Sequence, residues 1–199
     1  KGDRTTLIGS YLYGLNGDAE LSVTVPYQRL SLQGKARQSD VSDIQLAYRK
    51  YAYDLPRLGG ATLVYSGKVF LPTGDANKGI GLGEFSYGAS VTGARSVGVE
   101  GNTLGYLGVG YTKVGDPTGV DLKDVLYYWV GGVTQLRAPW SIQYDLLRMR
   151  SPADESMTRL MVGARYSLTP TRGIQLNLKK ELQADGGSFT VSLGYSARM

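Results

Sequence analysis

The sequence predicts an all-β protein, an antiparallel transmembrane β-barrel of about 12 strands. Three observations support this fold class: apolar and polar residues alternate with a period of two, short and long connections alternate, and aromatic residues lie near the ends of the alternating segments. No run of about 18 apolar residues could span a bilayer as a helix. At 199 residues, the chain is expected to be a single domain, residues 1–199.

Strand alternation is clear in the segment LSVTVPY. Its odd-numbered residues, from Leu21 to Tyr27, are apolar, whereas the neighbouring Glu20 and Ser22 are polar. A helix would instead repeat apolar residues every three to four positions. The same period of two recurs along the chain and predicts eleven strands, at roughly residues 4–15, 19–32, 41–53, 61–72, 85–96, 103–114, 124–136, 140–150, 158–168, 173–184 and 188–199.

Connections of two kinds alternate between these strands. The short ones are NGD, PRLGG, VEGN, RAPW and TPTRG; the longer, polar ones are KARQSDVSD, TGDANKGIGLGE, GDPTGVDLK and PADESM. Because outer-membrane barrels have short periplasmic turns and longer extracellular loops, the long connections are expected outside. Such barrels normally have an even number of strands, so the odd count predicts one further strand upstream of Lys1.

The apolar side of each strand is expected to face lipid, and the polar side to line the lumen. A soluble barrel or sandwich would more often bury an inner face rich in Phe and Leu, whereas this chain has 3 Phe and 2 Trp. Aromatic residues near strand ends are typical of the girdles at membrane interfaces. The sequence places these aromatic residues mostly near strand ends: Tyr27, Tyr48, Tyr51, Tyr53, Tyr87, Tyr127, Tyr128, Trp129, Trp140 and Tyr166.

Charged residues on the polar sides are the candidate selectivity residues. They would either pair as a structural ladder or form a path for ions, and pairing is the favoured role for any one of them. The net charge of +5 favours a weak preference for anions. The basic candidates are Arg49, Lys68, Arg159, Arg165 and Lys179, and the acidic candidates are Glu20, Asp43, Asp145 and Glu181.

The segment FLPTGDANKGIGLG, residues 70–83, imitates two ligand motifs and completes neither. A phosphate loop needs Lys directly after its second glycine, but Gly79 is followed by Ile. A calcium loop beginning at Asp75 would need a later acidic ligand, which the segment lacks. No metal site is predicted. The better interpretation is an extracellular loop in which Asp75, Asn77 and Lys78 restrict entry to the pore.

Three segments together resemble a known family: TTLIGSYLYGLNGDAELSVTVPYQRL, VSDIQLAYRKYAYD and GGATLVYSGKVFLPTGDANKGIGLG. The family is the outer-membrane transporter-like family named after the meta-pathway of phenol degradation. The likeness extends from Thr5 to Gly83, and LPTGD, Leu71 to Asp75, is its most specific piece. The resemblance implies a passive channel or transporter for small, often hydrophobic molecules, with a further strand before the TTL segment.

The sequence therefore predicts a channel of a Gram-negative outer membrane, a porin-like protein for small solutes, including aromatic or hydrophobic compounds. Expected partners are membrane lipid, lipopolysaccharide and the small-molecule solute, without nucleic acid, cofactor or enzymatic activity. A hydrolase would usually need the histidine that this chain lacks. Two alternatives stay open, a plugged barrel that docks a partner through its loops and a soluble barrel for a hydrophobic ligand. Oligomeric state is not predicted.

Overall fold

The computed structural model describes residues 2–32, 37–98, 101–117, 121–150, 156–170, 172–182 and 188–197. Short 3-10 helices, Pro56–Leu58 and Ala76–Lys78, lie in connections between strands. Within these ranges no helix is long and apolar enough to cross a membrane. The strands are β1 (Gly2–Asn16), β2 (Ala19–Leu32), β3 (Gln38–Val41), β4 (Ile44–Leu55), β5 (Ala61–Leu71), β6 (Ser86–Val97), β7 (Thr103–Lys113), β8 (Val125–Arg137), β9 (Trp140–Arg150), β10 (Ser156–Thr169), β11 (Arg172–Leu182) and β12 (Phe189–Ala197).

The strands follow one another through a single sheet in chain order. The order is β1-β2-β4-β5-β6-β7-β8-β9-β10-β11-β12, and β3 pairs with β2 off this path. All eleven predicted strands are present, each with ends within three residues of those predicted. The short strand β3 was not predicted, because Gln38–Val41 lies in a polar segment without a recognisable alternation.

The chain divides into two compact units. Their bounds are Lys1–Tyr51, Val64–Ser90 and Tyr111–Val125 for the first unit, and Ala52–Leu63, Val91–Gly110 and Leu126–Met199 for the second.

In the first unit the apolar side of the sheet is the exposed side. Along β2, Leu21, Val23 and Val25 are exposed, whereas Ser22 between them is buried at 9%. Among the residues of this unit that the structure describes, the buried hydrophobic ones are few and none is aromatic: Ala19, Ala47, Ile80, Val114 and Val125. Since a water-soluble sheet buries its apolar side, this inverted pattern is the one expected of a sheet that faces lipid.

The second unit shows the same inversion, and its register shows which residues share a face. Leu146 on β9 pairs with Leu160 on β10, and both are exposed. The next row along these strands has its side chains on the other side of the sheet. It joins Asp145, Met161 and Lys179 across β9, β10 and β11, and all three residues are half-buried. We call the side of Leu146 and Leu160 the apolar face of this unit, and the side of Asp145 and Lys179 its polar face.

Candidate functional site

Two of the predicted basic residues are neutralised by predicted acidic residues on adjacent strands. Glu20 of β2 lies directly opposite Arg49 of β4, and the guanidinium Nη1 donates to Oε1 at 2.7 Å. In the second unit Arg159 of β10 lies opposite Glu181 of β11, with Nη2 and Oε1 2.9 Å apart. These pairs cross-link neighbouring strands, and their charges cancel at close range.

The other three basic residues have different surroundings. Lys68 of β5 places its ammonium 5.3 Å from the centre of the Phe70 ring. Arg165 of β10 donates to the Ser196 hydroxyl at 3.4 Å. Neither Arg165 nor Lys179 forms an ion pair with a carboxylate in the part of the chain that the structure describes. Lys179 lies in the same row as Asp145 and interacts electrostatically with it and with Glu181, so the charge of Arg165 is the less compensated of the two.

A cluster of uncharged polar groups lies between Arg165 and Lys179 along the polar face. Gln175 Nε2 donates to Asn177 Oδ1 at 2.8 Å and to Gln143 Oε1 at 3.2 Å. The predicted residue Asp145 joins the same cluster through Tyr106, whose hydroxyl accepts from Gln143 Nε2 at 3.4 Å and donates to Oδ2 of Asp145 at 3.4 Å. Amides and hydroxyls of this kind can exchange hydrogen bonds with a passing solute or with water.

Two aromatic residues that the sequence assigned to a membrane girdle lie on the polar face instead. Tyr127 and Trp129 are half-buried and share the side of Gly131, which lies directly opposite Asp145. Their rings are stacked, with centroids 5.6 Å apart and planes inclined by 20°. The pair provides a flat aromatic surface beside the polar cluster, and alternation along β8 alone did not reveal it because aromatic residues occupy both sides of that strand.

Glycines on β7 make room for this aromatic pair. A Cβ atom at Gly110 would lie 2.5 Å from Cζ of Tyr127, whereas one at Gly67 of β5 would meet nothing within 4 Å. We expect Gly110→Ala to lower the free energy of unfolding by about 1 to 2 kcal/mol through steric strain, and Gly67→Ala to leave it nearly unchanged. Chemical unfolding in detergent and the near-ultraviolet circular dichroism of the stacked rings would test this. Equal behaviour of the two variants would contradict the close packing.

The predicted acidic residue Asp43 organises the loop that follows β5. Its Oδ1 accepts hydrogen bonds from the backbone N–H groups of Gly74 at 3.0 Å and Gly83 at 3.3 Å, and its Oδ2 accepts one from Leu82 at 2.5 Å. Gly81 has φ +78°, and a Cβ there would lie 2.8 Å from Oδ1 of Asp43. The loop therefore wraps its backbone around one carboxylate.

The three predicted pore-restricting residues lie within this loop. Asp75 accepts from the backbone N–H of Asn77 at 3.0 Å, and Lys78 donates to Asp40 at 2.8 Å. The hydrogen bond to Asp40 raises the pKa of the Lys78 ammonium. Ile80 of the same loop is fully buried. The loop is thus a folded unit, and its proposed effect on solute entry stays a prediction.

A search of solved structures shows which fold these features belong to. The crystal structure of an outer membrane channel from Pseudomonas putida F1 matches with a TM-score of 0.78 and 16% sequence identity, covering 98% of this chain and 83% of that chain. The chain has the fold of an outer-membrane channel. The predicted fold class is therefore confirmed. No protein-family model and no curated protein matches the sequence, so the resemblance to the phenol meta-pathway family stays a prediction.

Proposed function

We propose that the protein is a passive channel of a bacterial outer membrane. The observation that carries this proposal is the inversion of polarity: large apolar residues are exposed along the strands, while charged and amide side chains are half-buried on the opposite side. Such strands are stable with one side against hydrocarbon and the other beside water. The fold shared with an outer membrane channel supports the same conclusion.

The solutes would be small, and the polar face supports a weak preference for anions. Arg49 and Arg159 are each paired with a carboxylate, so the preference would depend mainly on Arg165 and Lys179. The stacked rings of Tyr127 and Trp129 support passage of aromatic or other hydrophobic compounds as well, because planar solutes stack on such surfaces.

Ion current through the purified chain in a planar bilayer would test the proposal. Under a salt gradient we expect discrete current steps and a reversal potential that favours anions. Arg165→Glu should lower the ratio of anion to cation permeability by about fivefold, since reversing a charge near the ion path changes the local energy by about 1 kcal/mol. The matched control is the double variant Glu20→Gln with Arg49→Gln, which removes an ion pair without changing the net charge.

The same recording separates the channel from the plugged alternative. Stable insertion without current steps would contradict the channel and favour a barrel that docks a partner through its loops. The two cross-strand ion pairs and the amide cluster are the features that would close such a barrel. Current steps with unchanged selectivity in Arg165→Glu would leave the channel intact and contradict the role given to Arg165.

A further inference from the structure

The polar face of the second unit changes in character along the strands. Near the short connections its side chains are amides and charges, among them Gln143, Gln175 and Arg165. Toward the longer connections the same face carries half-buried apolar side chains instead. We call these residues the methionine patch: Tyr127 and Trp129 on β8, Leu147 and Met149 on β9, and Met157 on β10.

The register of the strands joins these side chains into two adjacent rows. Met149 lies directly opposite Tyr127 on one side and Met157 on the other. In the neighbouring row Leu147 lies opposite Trp129. Residues opposite each other on one face of an antiparallel pair have Cβ atoms about 4.5 to 5.5 Å apart, so their side chains are within contact range. The methionine patch is therefore continuous across three strands.

The two aromatic rings of the patch extend over β7 rather than over β9. A Cβ atom at Gly108 would overlap the Trp129 ring, and one at Gly110 would lie 2.5 Å from Cζ of Tyr127. The apolar side chains of β9 are thus flanked by an aromatic wall on one side and by the flexible methionine of β10 on the other.

The residue types of the patch fit a binding surface better than a water-filled lumen, because the interior of an outer-membrane barrel is usually polar. Three of the chain's four methionines, Met149, Met157 and Met161, lie on this face. Methionine is flexible, its polarisable sulfur contacts the edges of aromatic rings, and it is common on surfaces that bind varied ligands. Ligand sites are likewise mostly apolar with a few polar groups. The composition therefore fits a site for an apolar solute.

The polar group beside the patch is neutral overall and has one donor without an acceptor. Arg159 lies opposite Leu147, and its Nη2 is paired with Oε1 of Glu181 at 2.9 Å. Since these charges cancel and no patch residue is charged, neither an anion nor a cation is favoured here. Arg159 Nε is buried and has no hydrogen-bond partner in the part of the chain that the structure describes. A buried donor without an acceptor is costly, so an oxygen atom delivered to this position would be stabilised.

We infer that the methionine patch binds a small uncharged aromatic solute that carries one oxygen atom. The ring of the solute packs on Leu147 and Met149 against the aromatic wall. Its oxygen accepts from Arg159 Nε when the flexible Met157 side chain moves aside. The inference rests on the channel function proposed above for the place of the patch on the solute path, and it deepens that function by naming the solute class and the residues that select it.

Methyl NMR of the full chain in detergent micelles would test the inference without any ion current. The chain has 4 methionines, so ¹³C-labelled methionine gives one methyl signal for each, assigned by replacing them one at a time with Leu. The probe is benzyl alcohol, which is small, uncharged and aromatic and carries one oxygen. We expect saturable shifts of the Met149 and Met157 signals, and a much smaller shift of the Met161 signal.

The same substitution on either side of Arg159 provides a matched comparison. Met157→Gln keeps the length of the side chain but removes its apolar surface, so benzyl alcohol binding, measured from the Met149 signal, should weaken about tenfold. Met157→Leu should retain most of the binding. Met161→Gln makes the same change four residues further along β10, outside the patch, and should weaken binding by less than about twofold. Circular dichroism of each variant shows that its strands are folded.

Three related solutes test the ring, the charge and the oxygen separately. Cyclohexylmethanol lacks the aromatic ring and benzoate carries a negative charge, so both should bind roughly five- to tenfold more weakly than benzyl alcohol. Toluene lacks the oxygen and should bind about fivefold more weakly. In Arg159→Lys, which keeps the positive charge and removes Nε, benzyl alcohol and toluene should bind equally.

Either of two results would overturn the inference. Unshifted Met149 and Met157 signals throughout the titration would mean that the patch packs only on itself, and equal losses in Met157→Gln and Met161→Gln would mean that the solute binds elsewhere. Current recorded from the same preparation reports separately on the channel. Solute binding without current steps would keep the site and contradict the channel, whereas current steps without binding would keep the channel and contradict the site.

Discussion

Replacing Asp43 with Ala is expected to destabilise the protein by roughly 3 to 5 kcal/mol, because one carboxylate accepts hydrogen bonds from three backbone N–H groups. The change removes all three acceptor contacts at once and leaves the amides of Gly74, Leu82 and Gly83 without that partner. Denaturant unfolding in detergent micelles would measure the loss. Asp43→Asn keeps one carbonyl oxygen as acceptor and should fall between Ala and the native residue.

A matched control for Asp43→Ala is available in another loop. Asp116 accepts a backbone hydrogen bond from Leu122 at 2.8 Å, so Asp116→Ala removes a single contact of the same kind. Its expected cost is about 1 kcal/mol. Hydrogen exchange should accelerate at Leu82 and Gly83 in the Asp43 variant and remain slow there in the Asp116 variant. Unchanged exchange at Leu82 after loss of Asp43 would contradict the organising role of this carboxylate.

The Asp43 variant also tests whether the loop restricts entry. If Asp75, Asn77 and Lys78 narrow the pore mouth, releasing the loop should increase the open-state current noise without changing the anion preference. Altered selectivity with a quiet current would instead assign Asp43 to the ion path, the role predicted from its place on the polar side of the strand. The two outcomes are distinguishable in one recording.

The strands were predictable from sequence because their physical cause is local. Alternation places Leu21, Val23 and Val25 on one side whatever the remainder of the chain does, and the turn segments bound each run. Short β3 was missed because its pairing with β2 depends on a partner strand and not on its own pattern. Register across strands also placed Glu20 opposite Arg49, which alternation could only assign to the same side.

The functional groups were harder to predict, because their roles depend on contacts between distant segments. Asp43 was identified as a charged residue on the polar side, but the backbone amides it binds lie more than thirty positions away in the chain. Trp129 was placed in a girdle by its residue type, whereas its side of β8 is fixed by the pairing of Gly131 with Asp145. The available sequence signal for the polar side of β8 was Gly131, which lies two residues after Trp129 and therefore on the same side of the strand.

Val162→Arg should destabilise the protein in a lipid bilayer by about 2 to 4 kcal/mol, the cost of an arginine on the lipid side near the midplane. Val162 is 55% exposed and lies in a row with Tyr144 and Leu178. It is four residues from Tyr166 of the aromatic row, or roughly 10 Å across an apolar band about 25 Å tall. Reversible unfolding of the chain from phospholipid vesicles would measure the difference.

The adjacent residue provides the control that identifies the two faces. Met161 lies on the polar face, directly opposite Asp145 and Lys179, so Met161→Arg introduces the same side chain between a carboxylate that attracts it and an ammonium that repels it. Its cost should remain below about 1 kcal/mol. In detergent-free aqueous buffer a soluble barrel would give the reverse order, with Val162→Arg tolerated and Met161→Arg destabilising. The order of the two variants in vesicles therefore decides whether the exposed apolar residues of β10 face lipid.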